Sequence, residues 1–169
     1  MKKGLALVSI LFLLANPCLP VSEKAPVPRN KTAFNFELKD LSGKAVKLSD
    51  YKGKFIFLNF FASWCPPCRE EMPSIQRLYE KTLSWKGFKL IVVSVDAIEN
   101  DARAFIKNGK YTFPVLLDSG SKAADNYGIR GIPATFIINK KGKIVDTAVG
   151  GRDWANDEMI RKFKTLTGN

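Results

Sequence analysis

Two cysteines three residues apart, Cys65 and Cys68, are the residues best placed to do chemistry. They stand in Trp64-Cys65-Pro66-Pro67-Cys68, between an apolar run and a segment of helical periodicity. A thiol at a helix N-terminus meets unpaired backbone N–H groups, which stabilise its thiolate. A second thiol one turn on can close a disulfide with it. The expected chemistry is thiol-disulfide exchange. Cys65 attacks a substrate disulfide and Cys68 resolves the mixed disulfide. Pro66 and Pro67 suit a first helical turn, where an N–H has no partner to lose. A structural disulfide across so short a loop would remove little chain entropy.

The rest of the composition excludes other chemistries. The chain has 169 residues, three cysteines and no histidine. That rules out a Ser-His-Asp triad, a Cys-His pair and a histidine-bound metal. It also rules out CxxCH haem attachment, since Arg69 follows Cys68. Neither a metal nor another cofactor is expected. The net charge is +11, from 27 basic and 16 acidic residues. Its densest clusters are Lys140-Lys141-Gly142-Lys143 and Arg161-Lys162-Phe163-Lys164. They read as a solvated basic surface rather than a nucleic-acid site. Attraction to anionic lipid or acidic partners stays open.

The elements that must position the pair follow from patterning. Phe34–Leu38 alternates as a strand, Leu41–Lys44 is a turn, and Ala45–Leu48 returns as a hairpin. The apolar run Phe55–Phe61 suits a central strand covered on both faces. Pro66 to about Leu83 is a helix with Pro73 as a kink, and Phe88–Val95 is the next buried strand, joined through a right-handed crossover. Helices are expected at Ile98–Lys107, Lys122–Tyr127 and from about Asp153 onward. Strands are expected at Phe113–Leu117 and in a hairpin of Ala134–Ile138 with Ile144–Val149. One domain, 32–169, follows a linker at 21–31 and a segment at 1–20. In that segment Lys2 and Lys3 precede the apolar run Gly4–Ala15, the pattern of a signal peptide or membrane anchor. Cys18 stands where a lipoprotein carries its lipid, although Asn16-Pro17 departs from the usual small residues. Export to the periplasm or the outer membrane face would let a disulfide form.

Phe60-Phe61-Ala62-Ser63-Trp64-Cys65-Pro66-Pro67-Cys68 resembles the active site of the thioredoxin superfamily, and Gly131-Ile132-Pro133-Ala134-Thr135-Phe136 resembles its cis-proline loop. The resemblance implies a thioredoxin fold: an α/β domain with a central mixed sheet flanked by helices. It implies that Pro133 is cis and packs against the disulfide, and that the backbone of Ile132 pairs with extended substrate. Trp64, Pro66 and Pro67 then complete the architecture of the site. More narrowly, Phe34–Gly168 resembles the TlpA/ResA-type extracytoplasmic thiol-disulfide reductases, grouped with the redoxin/AhpC-TSA family. The N-terminal β-hairpin, Asn59 and a helix–strand insertion at about Asp96–Leu117 carry that match. It places a third catalytic residue at Glu71. Asn59 occupies the position where many thioredoxins keep a buried aspartate, and an amide is no base. Glu71 is either a partly buried proton-transfer group or a surface glutamate in Arg69-Glu70-Glu71.

The implied function is reduction of protein disulfides, with an apocytochrome c CxxCH disulfide among the candidate substrates. A membrane electron donor would reset the pair in a monomeric protein. Pro-Pro lacks the histidine of strongly oxidising relatives, which favours a reductase. A peroxiredoxin-like peroxidase would want threonine where Ala62 stands. A Sco-type copper chaperone would want a wider cysteine pair and a histidine. A purely structural interaction domain would not need Cys65.

Overall fold

The computed structural model describes residues 30–168. The apolar run, the linker up to residue 29 and Cys18 lie outside the described residues.

Seven strands form one mixed sheet: β1 (Glu37–Asp40), β2 (Ala45–Lys47), β3 (Phe55–Phe61), β4 (Phe88–Ser94), β5 (Val115–Leu117), β6 (Ala134–Ile138) and β7 (Ile144–Val149). Their spatial order is β2-β1-β5-β4-β3-β6-β7. Strands β3, β4 and β5 run parallel, whereas β6 and β7 on one side and β1 and β2 on the other are antiparallel. Strand β3 is therefore central, paired with β4 from Phe55 to Phe61 and with β6 from Ile56 to Phe60. Its run of Phe, Ile and Leu is apolar on both faces because both faces are covered.

Four helices provide the cover: α1 (Pro66–Thr82), α2 (Glu99–Asn108), α3 (Lys122–Asn126) and α4 (Asp157–Thr167). On one face Phe57 and Phe61 pack with Cys68, Met72, Ile75 and Leu78 of α1, Ile106 of α2 and Phe163 of α4. On the other face Ile56, Leu58 and Phe60 pack with Ala123 and Ala124 of α3, Tyr127, Phe36 and Leu48. Alternate residues of β3 thus feed two cores, as the two-residue period of a strand requires. The expected α/β class, the hairpin and the helix–strand insertion are all present.

Three elements differ from the sequence reading by two residues or more, and the others by at most one. The first strand is Glu37–Asp40 rather than Phe34–Leu38. Asp40 Oδ1 accepts the N–H groups of Ser42 and Lys44, so the turn holds Asp40 in the ladder. The third parallel strand starts at Val115, because Phe113 and Pro114 precede its pairing with Val92. The last helix begins at Asp157 rather than near Asp153. Asn156 is its N-cap, its side chain accepting from the Met159 N–H. Helix α1 continues through Pro73, which cannot donate to the Arg69 carbonyl.

Phe57 is fully buried and meets Trp154 edge-on at 4.9 Å and Phe163 at 6.0 Å between centroids. Phe57→Ala should lower unfolding free energy by about 3–5 kcal/mol in urea titration, with an unchanged m-value.

Candidate functional site

The dithiol sits where β3 gives way to α1. Cys65 is the N-cap residue of α1, with Pro66 and Pro67 filling its first two positions. Cys65 and Cys68 form a disulfide with their Cα atoms 5.3 Å apart. The two sulfurs are not equivalent. Cys65 is 4% exposed and Cys68 not at all, so an incoming disulfide can reach only Cys65. Trp64 beside it stands 67% exposed, an apolar surface next to the reactive sulfur.

The turn leading to Cys65 is held by a residue that no sequence motif marks. Buried Asp96, just beyond β4, accepts from the Ser63 N–H at 3.0 and 3.1 Å and from Ser63 Oγ at 2.7 Å. Ser94 Oγ donates to it as well, at 2.8 Å. Arg69 closes the turn from the helix side by donating to the Ser63 carbonyl at 3.1 Å.

The Ile132–Pro133 peptide is cis, and it opens β6. The Ile132 carbonyl oxygen lies 3.7 Å from Cys65 Sγ. Pro133 is buried, whereas Ile132 is half-exposed. The two motifs, far apart in sequence, therefore meet through the pairing of β3 with β6.

Glu71 had two readings on sequence grounds, buried proton carrier or surface charge. It is 2% exposed, so the surface-glutamate reading is overturned. Helix α1 turns it inward on the face that carries Cys68. Asn59 Nδ2 on β3 donates to Glu71 Oε1 at 2.8 Å and to Thr135 Oγ1 on β6 at 2.9 Å. Trp154 Nε1 donates to Glu71 Oε2 at 3.1 Å, and the Arg152 N–H approaches the same oxygen at 3.4 Å. Burial pushes the Glu71 carboxyl above its ordinary value, because desolvation outweighs the hydrogen bonds from Asn59, Trp154 and Arg152. Asn59 Oδ1 is buried with no partner. The amide therefore directs its two N–H donors to Thr135 Oγ1 and Glu71 Oε1.

Glu71 keeps a route to solvent. It lines a cleft of about 370 Å³ with Pro67, Ser74, Gly151 and Arg152. The loop beyond β7 forms the far wall. A Cβ at Gly151 would lie 2.8 Å from the Pro67 carbonyl oxygen, so only glycine lets this loop close on the first turn of α1. Trp154 and Arg152 were not predicted as site residues. Their only sequence signal was a tryptophan read as core of the last helix. Among the described residues, no three His, Cys, Asp or Glu side chains gather as metal ligands.

Residues 30–147 match the AhpC/TSA family. A thiol-disulfide oxidoreductase ResA from Bacillus cereus is 39% identical over 129 residues, covering 76% of this chain and 74% of the relative. The thioredoxin domain of a thiol-disulfide oxidoreductase from Bacteroides vulgatus superposes with a TM-score of 0.72 at 28% identity, over 82% of this chain and 99% of that one. The crystal structure of StoA from Bacillus subtilis gives 0.67 at 31% identity, over 82% and 99%. The chain belongs to the AhpC/TSA family, within the thioredoxin superfamily.

A carboxyl whose folded pKa is raised stabilises the fold fully below the ordinary carboxyl range, and that contribution is lost as pH rises through the folded value. Glutamine at position 71 can keep both sets of contacts once the Asn59 amide turns over. The stability of the oxidised protein minus that of Glu71→Gln should therefore fall with rising pH across that window. The slope should reach up to about 1.4 kcal/mol per pH unit. Urea unfolding at several pH values reads it, and a pH-independent difference would show Glu71 to be unperturbed.

Proposed function

We propose that this member of the AhpC/TSA family is a thiol-disulfide oxidoreductase that works as a reductase of protein disulfides. The observation that carries the direction is the pair of prolines at the first two positions of α1. A helix N-terminus lowers a thiol pKa largely through its free N–H groups. Pro66 and Pro67 have none, which leaves the Cys68 N–H and the helix dipole. The Cys65 thiolate is thus stabilised less than at a helix start with all its donors. A poorly stabilised thiolate is a poor leaving group, so the disulfide is the favoured state and the dithiol a reductant.

Reduced Cys65, as thiolate, attacks one sulfur of a substrate disulfide. A Cys65–substrate bond forms and the other substrate sulfur leaves as thiolate. Cys68, deprotonated, then attacks Cys65 Sγ and expels the second substrate sulfur. Two electrons pass to the substrate, two protons complete its thiols, and Cys65–Cys68 is left as a disulfide. Trp64 and the Ile132 backbone hold the substrate chain beside Cys65, in the manner of strand addition. Pro133 sets the Ile132 carbonyl against the sulfur.

Glu71 serves as the proton partner of Cys68. Its raised pKa brings it toward the range useful for exchange with a thiol, and the cleft connects it to solvent. Asn59 supports either protonation state. When Glu71 takes a proton, the amide turns over, and Oδ1 accepts from the acid and from Thr135 Oγ1. Domain 32–169 acts outside the cytosol, delivered by the 1–20 segment as a signal peptide or anchor. Its substrates include the CxxCH disulfide of apocytochrome c, and a membrane dithiol donor resets it.

Cys68→Ala should accumulate substrates as mixed disulfides on Cys65, identified by mass spectrometry after alkylation. Cys65→Ala in parallel should trap at least tenfold less. Equal trapping by the two variants would contradict the assigned roles, more by Cys65→Ala would reverse them, and none by either would remove the reductase reading.

A further inference from the structure

The lysines not used by the dithiol site converge at the other end of the sheet. A cleft of about 300 Å³ opens beside the first residues of β3 and the last of β6. Ile56, Ile138, Leu48 and Ala33 are part of its lining, and Lys52, Lys54, Lys140 and Lys141 rim it. All four rim lysines are exposed. Lys89 joins them from β4, its Nζ 5.4 Å from the centre of the Tyr51 ring. Lys143 stands at the start of β7's hairpin arm and donates to Thr32 Oγ1 at 2.8 Å.

Among the described residues no carboxylate forms an ion pair with this charge. None of the six lysines is in an ion pair among the described residues, where such pairs join Lys47 to Glu37, Arg77 to Asp153, Arg103 to Glu99 and Lys162 to Asp146. The nearby Asp50 carboxylate is engaged by the Lys47 N–H at 2.9 Å. Lys89 is held below the ordinary lysine range, first by burial and then by the positive charge of Lys54. Like charges held together without counter-charges are the footprint of an anionic partner.

The path of the chain identifies the partner. Residues 30–33 are stitched to the same hairpin: the Asn30 N–H donates to the Ile144 carbonyl, the Ala33 N–H to Gly142, and the Ile144 N–H to Lys31. The sequence just upstream is the stretch 16–29, preceded by the apolar run Gly4–Ala15 with Lys2 and Lys3 before it. Fully extended, residues 16–29 reach at most about 50 Å. The cleft therefore lies where the folded domain meets the 1–20 segment, and the inference rests on the proposed reading of that segment as a retained membrane anchor. A nucleic acid would want free aromatic faces for stacking. Here Lys89 covers Tyr51, and Lys140 covers Phe55 at 5.9 Å.

We propose that the lysine-rimmed end of the sheet is a docking face for an anionic phospholipid surface, the headgroup phosphates meeting Lys52, Lys54, Lys140 and Lys141. Basic residues beside a membrane-binding segment are attracted to an anionic lipid surface within a Debye length of it. Docking also fixes orientation. The cleft is at the Phe55 end of β3, and Cys65 follows its other end, some seven residues or about 23 Å along the strand. The dithiol then points away from the lipid. No lysine of the face belongs to the dithiol site, so docking and redox chemistry are separable.

The test uses the full chain in vesicles of phosphatidylcholine alone or with phosphatidylglycerol. A membrane-impermeant amine-acylating reagent is applied, and each lysine's labelling is read by mass spectrometry. Labelling of Lys52, Lys54, Lys140 and Lys141, relative to exposed Lys110, should fall at least threefold on the anionic vesicles and recover in high salt. The Lys54→Glu/Lys140→Glu/Lys141→Glu variant should show no such fall at Lys52, with its Cys65–Cys68 redox potential unchanged. Equal labelling of the wild-type chain on both vesicles would overturn the proposal. So would protection by soluble polyglutamate without protection by anionic lipid.

Discussion

A carboxyl group buried beneath the first turns of α1 is the constraint around which the reactive end of this molecule is organised. Glu71 cannot be hidden without partners, because an unpaired buried carboxylate costs several kcal/mol. Its partners come from two other places in the chain: Asn59 on β3, and the loop before α4, which supplies the Arg152 N–H and the Trp154 indole. Asn59 in turn bonds Thr135, two residues past the cis Pro133. Satisfying one carboxyl therefore ties together the helix that carries the thiols, the strand that precedes them and the strand that follows the cis-proline loop. The packing agrees, since Trp154 meets Phe57 of β3 edge-on on the core side.

That arrangement separates two demands on the cysteines. In the proposed exchange the attacking sulfur must reach solvent, and Cys65 stands at the N-cap beside exposed Trp64. In the same proposal the resolving sulfur is shielded until needed, and Cys68 faces the core with Glu71 on its own helix face. In our reading the prolines between them set the direction of exchange, and Glu71 handles the proton. The far end of the sheet does something else. Its lysines belong to no part of the redox site, so the charge there reads as orientation of the whole domain.

Much of this was legible in the sequence, for identifiable reasons. The reactive pair and the cis-proline loop are short contiguous motifs, and β3 announces itself by an unbroken apolar run that only a doubly covered strand tolerates. The burial of Glu71 was legible only as one of two options, because an i, i+3 relation to Cys68 is compatible with an inward or an outward face. Asp96, Gly151, Arg152 and Trp154 were not legible as site residues. Each acts across a long sequence separation with no periodicity to mark it. Trp154 in particular looked like the first core residue of a helix that starts three residues later. The shift of β1 to Glu37–Asp40 has a similar origin, since its register is set by pairing with β2 and β5 rather than by its own alternation.

The central claim is that Glu71 and Cys68 share the proton of the exchange. It is tested most directly by titrating the Cys68 thiol in a Cys18→Ala/Cys65→Ala background, where it is the one thiol left, with and without Glu71→Gln. An ionised carboxylate on the same helix face disfavours a thiolate. The account predicts that Glu71→Gln moves the Cys68 titration to lower pH, with the native fold retained by circular dichroism. An identical titration curve in the two proteins would contradict it.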